Sequence, residues 1–219
     1  GCVGLTRDLA RDVFVCACAG GRSDIVRELL TKKWKLHDIK DKRKLKRLRK
    51  WLADLINESK CIVVVASGGH VAILKMLLEV NGININRRNY GGDSAFFSAC
   101  SNGQVEALNV LLECDIDVNE KHIQKRGITA LSFATQKGHF NIIKTLLRVE
   151  GINVNLADDA GFTPLHFALV FQNDQLEIIH AFLAIKGIQV NQIMPFHGMT
   201  PLMFACKEGY TDVVKALLL

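Results

Sequence analysis

The chain has 219 residues, of which 49% are apolar, 23% charged and 7% aromatic, enough apolar surface to bury a core and too much for a disordered chain. With 3 prolines and 17 glycines among many Leu, Ile, Val and Ala residues, composition favours helices over a many-stranded sheet. The net charge of +6 is concentrated in residues 32–50, where eleven Lys or Arg stand against Asp38 and Asp41, so the remainder is slightly acidic and a uniformly basic body is excluded.

In chain order, residues 1–30 open with Val13 to Ala19, an apolar run resembling the core of a signal peptide. The preceding Thr6 to Asp12 is mixed in charge and the run is short, so a helix over Phe14–Ala19 is the better reading. A second periodic stretch runs from Gly21 to Leu30. Residues 31–57 form a basic insertion. In it Leu45, Leu48, Leu52 and Leu55, with Trp51 and Ile56, recur at three- and four-residue spacing, which predicts an amphipathic helix over residues 41–57. Its polar side carries Lys42, Arg43, Lys44, Lys46, Arg47, Arg49 and Lys50. No run reaches the roughly 20 apolar residues of a membrane span.

Residues 58–219 repeat. After an incomplete copy with helices expected at Ile62–Ala66 and Gly69–Leu78, four segments line up from Gly92, Gly127, Gly161 and Gly198. Each is followed by a paired apolar step (Leu111-Leu112, Leu146-Leu147, Phe182-Leu183, Leu217-Leu218). A short turn recurs between them, closing at Asn86, Asn119, Asn155 and Asn191. The chain begins at Gly1 without Met and stops inside an apolar helical pattern, which reads as a segment of something longer.

This pattern resembles the ankyrin repeat, with Gly161-Phe162-Thr163-Pro164-Leu165-His166 matching the family's start almost letter for letter. The resemblance covers residues 58–219 well and residues 10–30 weakly. It implies an all-α solenoid of stacked antiparallel helix pairs with β-hairpin-like fingers, in which fingers and first helices line a concave groove. The residues support it independently. Thr163 and Thr200 can cap helix N-termini, and Pro164 and Pro201 fit the first turn. Gly69, Gly103, Gly138 and Gly209 stand where the first helix must stop and reverse. Helices of about ten residues or fewer cannot stand alone, so each pair must bury its face against the next.

The residues that invite a chemical reading have duller explanations. His70, His139 and His166 occupy fixed places of the repeat, and the resemblance implies that they staple turns to helices. Cys18, Cys100 and Cys206 fall at one equivalent place, where a small apolar group is expected to pack. Asp158 and Asp159 sit at an expected fingertip. No phosphate loop, nucleophile elbow, HExxH or CxxC motif occurs. No catalytic residue, metal or cofactor is therefore expected.

The expected function is a protein-interaction scaffold or adaptor, a monomeric module within a longer chain, binding another protein. The resemblance assigns the contact surface to Arg87, Arg88, Asn89 and Tyr90 at one tip and His122, Lys125 and Arg126 at the next. Asp158 and Asp159 form the third tip and Phe196 and His197 the fourth, with apolar help from Ile128, Phe162 and Met199. Two alternatives stay open: binding of nucleic acid, an acidic membrane or calmodulin through residues 32–50, and service as the targeting arm of a larger enzyme or signalling protein. The odd, unpatterned set of seven cysteines implies an intracellular, cytoplasmic setting. Nuclear import through Lys42-Arg43-Lys44 and Lys46-Arg47 is a further option.

Overall fold

Thirteen short helices account for most of the described structure. The computed structural model describes residues 7–30, 41–171, 176–195 and 198–218. It divides into two compact units, Gly1–Ile116 and Asp117–Leu219.

The first unit contains α1 (Arg7–Ala19), α2 (Ser23–Glu28), α3 (Lys42–Ser59), α4 (Cys61–Ser67), α5 (Val71–Leu78), α6 (Ala95–Ser101) and α7 (Val105–Leu112). Helices pair as α1 with α2, α4 with α5 and α6 with α7. First helices stack in the order α1, α4, α6 and second helices in the order α2, α5, α7. Buried Phe14, Val26, Ile62, Ile73, Leu74, Phe97, Leu108 and Leu111 form the seam between the two layers.

The second unit repeats the plan. A two-stranded hairpin, β1 (Lys121–His122) and β2 (Ile128–Thr129), precedes α8 (Ala130–Lys137) and α9 (Phe140–Leu146). These are followed by α10 (Pro164–Val170) with α11 (Leu176–Leu183), then α12 (Pro201–Glu208) with α13 (Thr211–Leu217). First helices α8, α10 and α12 stack in one layer and second helices α9, α11 and α13 in the other.

Thr163 and Thr200 are N-caps as expected, and Ser94 and Thr129 do the same, each side chain accepting from the backbone N–H three residues on. Each satisfies one of the donors that a helix start leaves open. Gly69, Gly103, Gly138 and Gly209 all have positive φ, from 67° to 75°. At Gly138 the left-handed turn lets the following His139 N–H reach back to the Ala134 carbonyl at 3.0 Å, closing the helix end before the chain reverses.

In the second unit, side-chain amides of Asn119 and Asn155 join the turn of one repeat to the turn of the next. Asn119 donates from Nδ2 to the Gly151 carbonyl and accepts on Oδ1 from Asn153 N–H, both at 2.8 Å. Asn155 does the same to Gly187 and Gln189, both at 2.9 Å. Each amide imitates a pair of backbone groups and so holds one repeat to the turn of the next.

The predicted insertion helix exists, and its far end is part of the stack. In the last turns of α3, Asn57 donates to Gly82 O at 3.0 Å and accepts from Asn84 N–H at 2.8 Å, the same two-point staple as that of Asn119 and Asn155. Leu52, Ala53, Leu55 and Ile56 are buried, and α3 packs on α4. The chain passes from α3 to α4 through a single residue, Lys60, at φ 55°. That explains why this copy lacks a capping Thr: a preceding helix, and not an extended finger, delivers the chain to α4.

One packing expectation fails. Cys18 and Cys100 are fully buried, but Cys206 is exposed. The reason is that α12 packs on α10 and α13, and no later helix pair among the described residues covers its other side. Met203, 57% exposed, lies on α12 at the place where Ser132 and His166 are buried in α8 and α10.

These contacts set an expected order of stabilities. Asn57→Ala and Asn155→Ala should each lower stability by about 1–2 kcal/mol, because each strands turn groups that had partners, whereas Met203→Gln should stay within about 0.5 kcal/mol. Urea unfolding followed by circular dichroism measures this. A neutral Asn57→Ala beside a costly Asn155→Ala would show that α3 is not stapled as described.

Candidate protein-binding surface

In the first unit the finger before α6 is locked from within. Asn89 N–H donates to Asp93 O at 2.9 Å, Asn89 Oδ1 accepts from Asp93 N–H at 2.9 Å, and Gly92 N–H donates to Asn89 O at 3.0 Å. Arg88 donates from its guanidinium to Gly92 O at 3.0 Å. Of the four residues predicted at this tip, Asn89 and Arg88 therefore hold its shape, while Arg87 and Tyr90 point outward. Tyr90 is 91% exposed, and the Lys60 ammonium lies 3.0 Å from its ring centroid, a cation–π contact that restrains both side chains. Lys60 was not foreseen. Its position depends on the left-handed link between α3 and α4, which no local motif announces.

Tyr90 also borders a cleft of about 370 Å³, walled by Arg11, Asp12 and Cys16 of α1 and by Glu58 of α3, with Lys60 at its edge. Its lining carries both acidic groups, Asp12 and Glu58, and basic ones, Arg11 and Lys60.

In the second unit the β1–β2 register pairs His122 with Ile128, and both side chains turn inward. His122 is 0% exposed and Ile128 is buried. This corrects the expectation that they line the contact surface: as directly opposed residues of the ladder they share one face, and that face is buried. The exposed side chains of this finger are Lys121, Ile123, which is 77% exposed, Gln124 and Arg126. Arg126 has φ 54°, and its carbonyl accepts from Asp159 N–H at 2.9 Å. Lys125 is half-buried, with its ammonium 5.1 Å from the Phe133 ring. Ile123 was missed. The available signal was an apolar residue inside an otherwise polar turn.

Asp158 does at the next finger what Asn89 does in the first unit. Its carboxylate accepts from Ala160 N–H at 3.0 Å and Phe162 N–H at 2.8 Å, and its own N–H donates to Phe162 O. Asp159 is exposed and pairs with Lys121 at 3.5 Å, a solvent-facing contact worth little in stability. Phe162 is half-buried, edge-on to His166 and tilted against Phe167. The fourth finger is closed by a bridge between Met194 and Met199, with Met199 half-buried and Ile193 exposed. Phe196 and His197 lie outside the described residues.

On α3, Lys42, Arg43, Lys46, Arg47, Arg49 and Lys50 are exposed, and Lys44 belongs to the same helix. They lie on the amphipathic helix that the spacing predicts. Among the described residues no helix is long and apolar enough to cross a membrane.

His166 and His70 act as staples. His166 is fully buried. Its Nδ1 accepts from Thr163 N–H at 3.1 Å while its own backbone N–H donates to Thr163 Oγ1, a capping box, and its Nε2 meets the Gln192 carbonyl at 2.9 Å. His70 Nε2 lies 3.4 Å from Ala19 O and so links α5 to the end of α1. A hydrogen bond to the neighbouring Cys61, together with burial, pushes the Cys18 thiol up, away from nucleophilic thiolate character. No group of three or more His, Cys, Asp or Glu among the described residues is placed to hold a metal ion.

Comparison with known proteins gives a consistent result. The family profile "Ankyrin repeats (3 copies)" matches residues 13–122 and 119–194, and the profile "Ankyrin repeat" matches residues 197–219. The chain is 29% identical over 149 residues to the ankyrin repeat protein YahD of Escherichia coli (strain K12), covering 67% of this chain and 72% of that one. It is 31% identical over 155 residues to an E3 ubiquitin-protein ligase, XBOS32, of Oryza sativa, covering 70% of this chain but only 29% of the ligase. It spans 6% of an ankyrin repeat and KH domain-containing protein of Caenorhabditis elegans. Among solved structures, an ankyrin repeat domain from Acinetobacter baumannii AYE superposes with TM-score 0.72 at 25% identity, covering 94% of this chain and 95% of that one. The crystal structure of another ankyrin repeat protein superposes with TM-score 0.74 at 22% identity, covering 94% and 96%.

The buried histidine makes stability depend on pH. Burial pushes the His166 imidazole below the usual histidine range, outweighing the Gln192 carbonyl and the Asp158 charge, which act the other way. The unfolded chain therefore accepts a proton near pH 6.5 that the folded chain refuses. Stability present at neutral pH is lost as pH falls below about 6.5 towards the folded-state value. The urea midpoint should drop between pH 7 and pH 5, and drop less in His166→Gln. Equal drops in both proteins would remove His166 from the account.

Proposed function

Because this chain belongs to the ankyrin-repeat family, we propose that it is a protein-binding module whose fingers hold contact side chains in place before a partner arrives. Ankyrin repeats generally bind other proteins, and ankyrin domains are generally non-catalytic. The finer reading concerns where contact is made. The observation that carries it is Tyr90: a large aromatic side chain, 91% exposed, on a tip fixed by internal hydrogen bonds and faced by a lysine at 3.0 Å.

Such a side chain loses little freedom on binding, and Tyr and Arg dominate interface energetics. Arg87 stands beside it, and the cleft behind it is large enough for a side chain of the partner. Ile123 with Arg126 offers the same pairing of an apolar and a cationic group in the second unit. Lys60 and Arg126 are the non-glycine residues with positive φ among the described residues. Strain of this kind, about 1–3 kcal/mol per residue, gathers where function needs a side chain in an unusual place.

The test is binding by variants that leave the fold alone. Against a partner recovered with the native chain, Arg87→Ala/Tyr90→Ala should weaken binding by about 2 kcal/mol or more, roughly thirtyfold, with helicity unchanged by circular dichroism. Undiminished affinity in that variant for every recovered partner would refute this assignment of the surface.

A further inference from the structure

The basic half of α3 takes no part in the finger surface. Six of its cations, Lys42, Arg43, Lys46, Arg47, Arg49 and Lys50, are exposed, and none of them forms an ion pair among the described residues. At 100° per residue they fall within an arc about 160° wide, opposite the direction of Leu52, Leu55 and Ile56. The nearest carboxylate within the helix is Asp54. Asp41 accepts from the Arg43 backbone N–H at 2.8 Å. Cations in the first turns of a helix also oppose its dipole, so this arrangement raises the energy of the free protein and gains nothing inside it.

What it matches is a linear polyanion. From Lys42 to Lys50 the helix rises about 12 Å, so six cations give roughly one charge per 2 Å. Duplex DNA carries about one negative charge per 1.7 Å of axis. An amphipathic membrane helix would lay its apolar side into the lipid. Here Leu52, Leu55 and Ile56 are buried in protein, and α3 contributes no exposed large hydrophobic residue among those described. Between Lys42 and Lys50 the exposed residues are all Lys and Arg, the side chains that most often contact phosphate oxygens.

We propose that the N-terminal half of α3 is a docking arm for the phosphate backbone of a nucleic-acid duplex, bound independently of the finger surface. Fluorescence anisotropy with labelled 20-base-pair DNA and RNA duplexes tests this on the whole chain. With four to six phosphates contacted, the logarithm of affinity should fall against the logarithm of salt with a slope of about −3.5 to −5.5. That is roughly a hundred- to two-thousandfold loss between 50 and 200 mM.

The variant Lys46→Gln/Arg47→Gln/Arg49→Gln/Lys50→Gln keeps good helix formers. It should bind at least about tenfold more weakly with a much shallower slope, while Lys186→Gln/Lys207→Gln should bind like the native chain. Should the fourfold variant fail to fold, lysine acetylation of the native protein gives the answer, since bound duplex should shield Lys42, Lys46 and Lys50 and leave Lys186 and Lys207 reactive. Binding of either duplex with these signatures supports the arm. It is overturned if neither duplex binds at 50 mM salt, if the fourfold variant folds and binds as well as the native chain, or if the α3 lysines are not shielded. Tighter binding to phosphatidylserine vesicles or to polyglutamate than to duplex would also overturn it.

Discussion

Everything in this protein depends on the inability of its helices to stand alone. Most are six to eight residues long, far below the length at which an isolated helix is stable in water. Each therefore persists only because its apolar side lies against the pair before or after it. Stacking is the tertiary structure and also the condition for the secondary structure. The asparagine staples make this concrete, since Asn119 and Asn155 each satisfy a carbonyl and an amide in the turn of the following repeat.

The same constraint explains how an insertion is tolerated. Eighteen residues of α3 could have separated the first helix pair from the second. Instead Asn57 makes the two staple bonds and Leu52, Leu55 and Ile56 fill the packing, so the far half of the insertion serves as the missing turn. The exposed cations of the near half form no ion pair among the described residues. Their charge can then answer to something outside the chain.

At the fingers, rigidity and exposure are divided between neighbouring residues. Asn89 and Asp158 tie their turns through their own side chains, leaving Tyr90 and Asp159 beside them to face solvent. Composition marks both members of each pair as tip residues. Only the hydrogen-bond geometry separates the one that builds the tip from the one that a partner can touch. Glycine would take the dihedrals of Lys60 and Arg126 more easily, and both positions present a cation instead.

The sequence by itself determined the repeat, the helix pairs, the caps at Thr163 and Thr200, the reversals at glycines and the amphipathic helix after residue 41. These follow from local rules of spacing, capping and backbone freedom that act within a few residues. Tertiary structure alone decided that His122 and Ile128 turn inward, that Cys206 is left uncovered, that Asn57 joins the staples and that Lys60 meets Tyr90. Each of those outcomes depends on which surface another element covers, and such contacts join residues up to about thirty positions apart, beyond the reach of any local pattern.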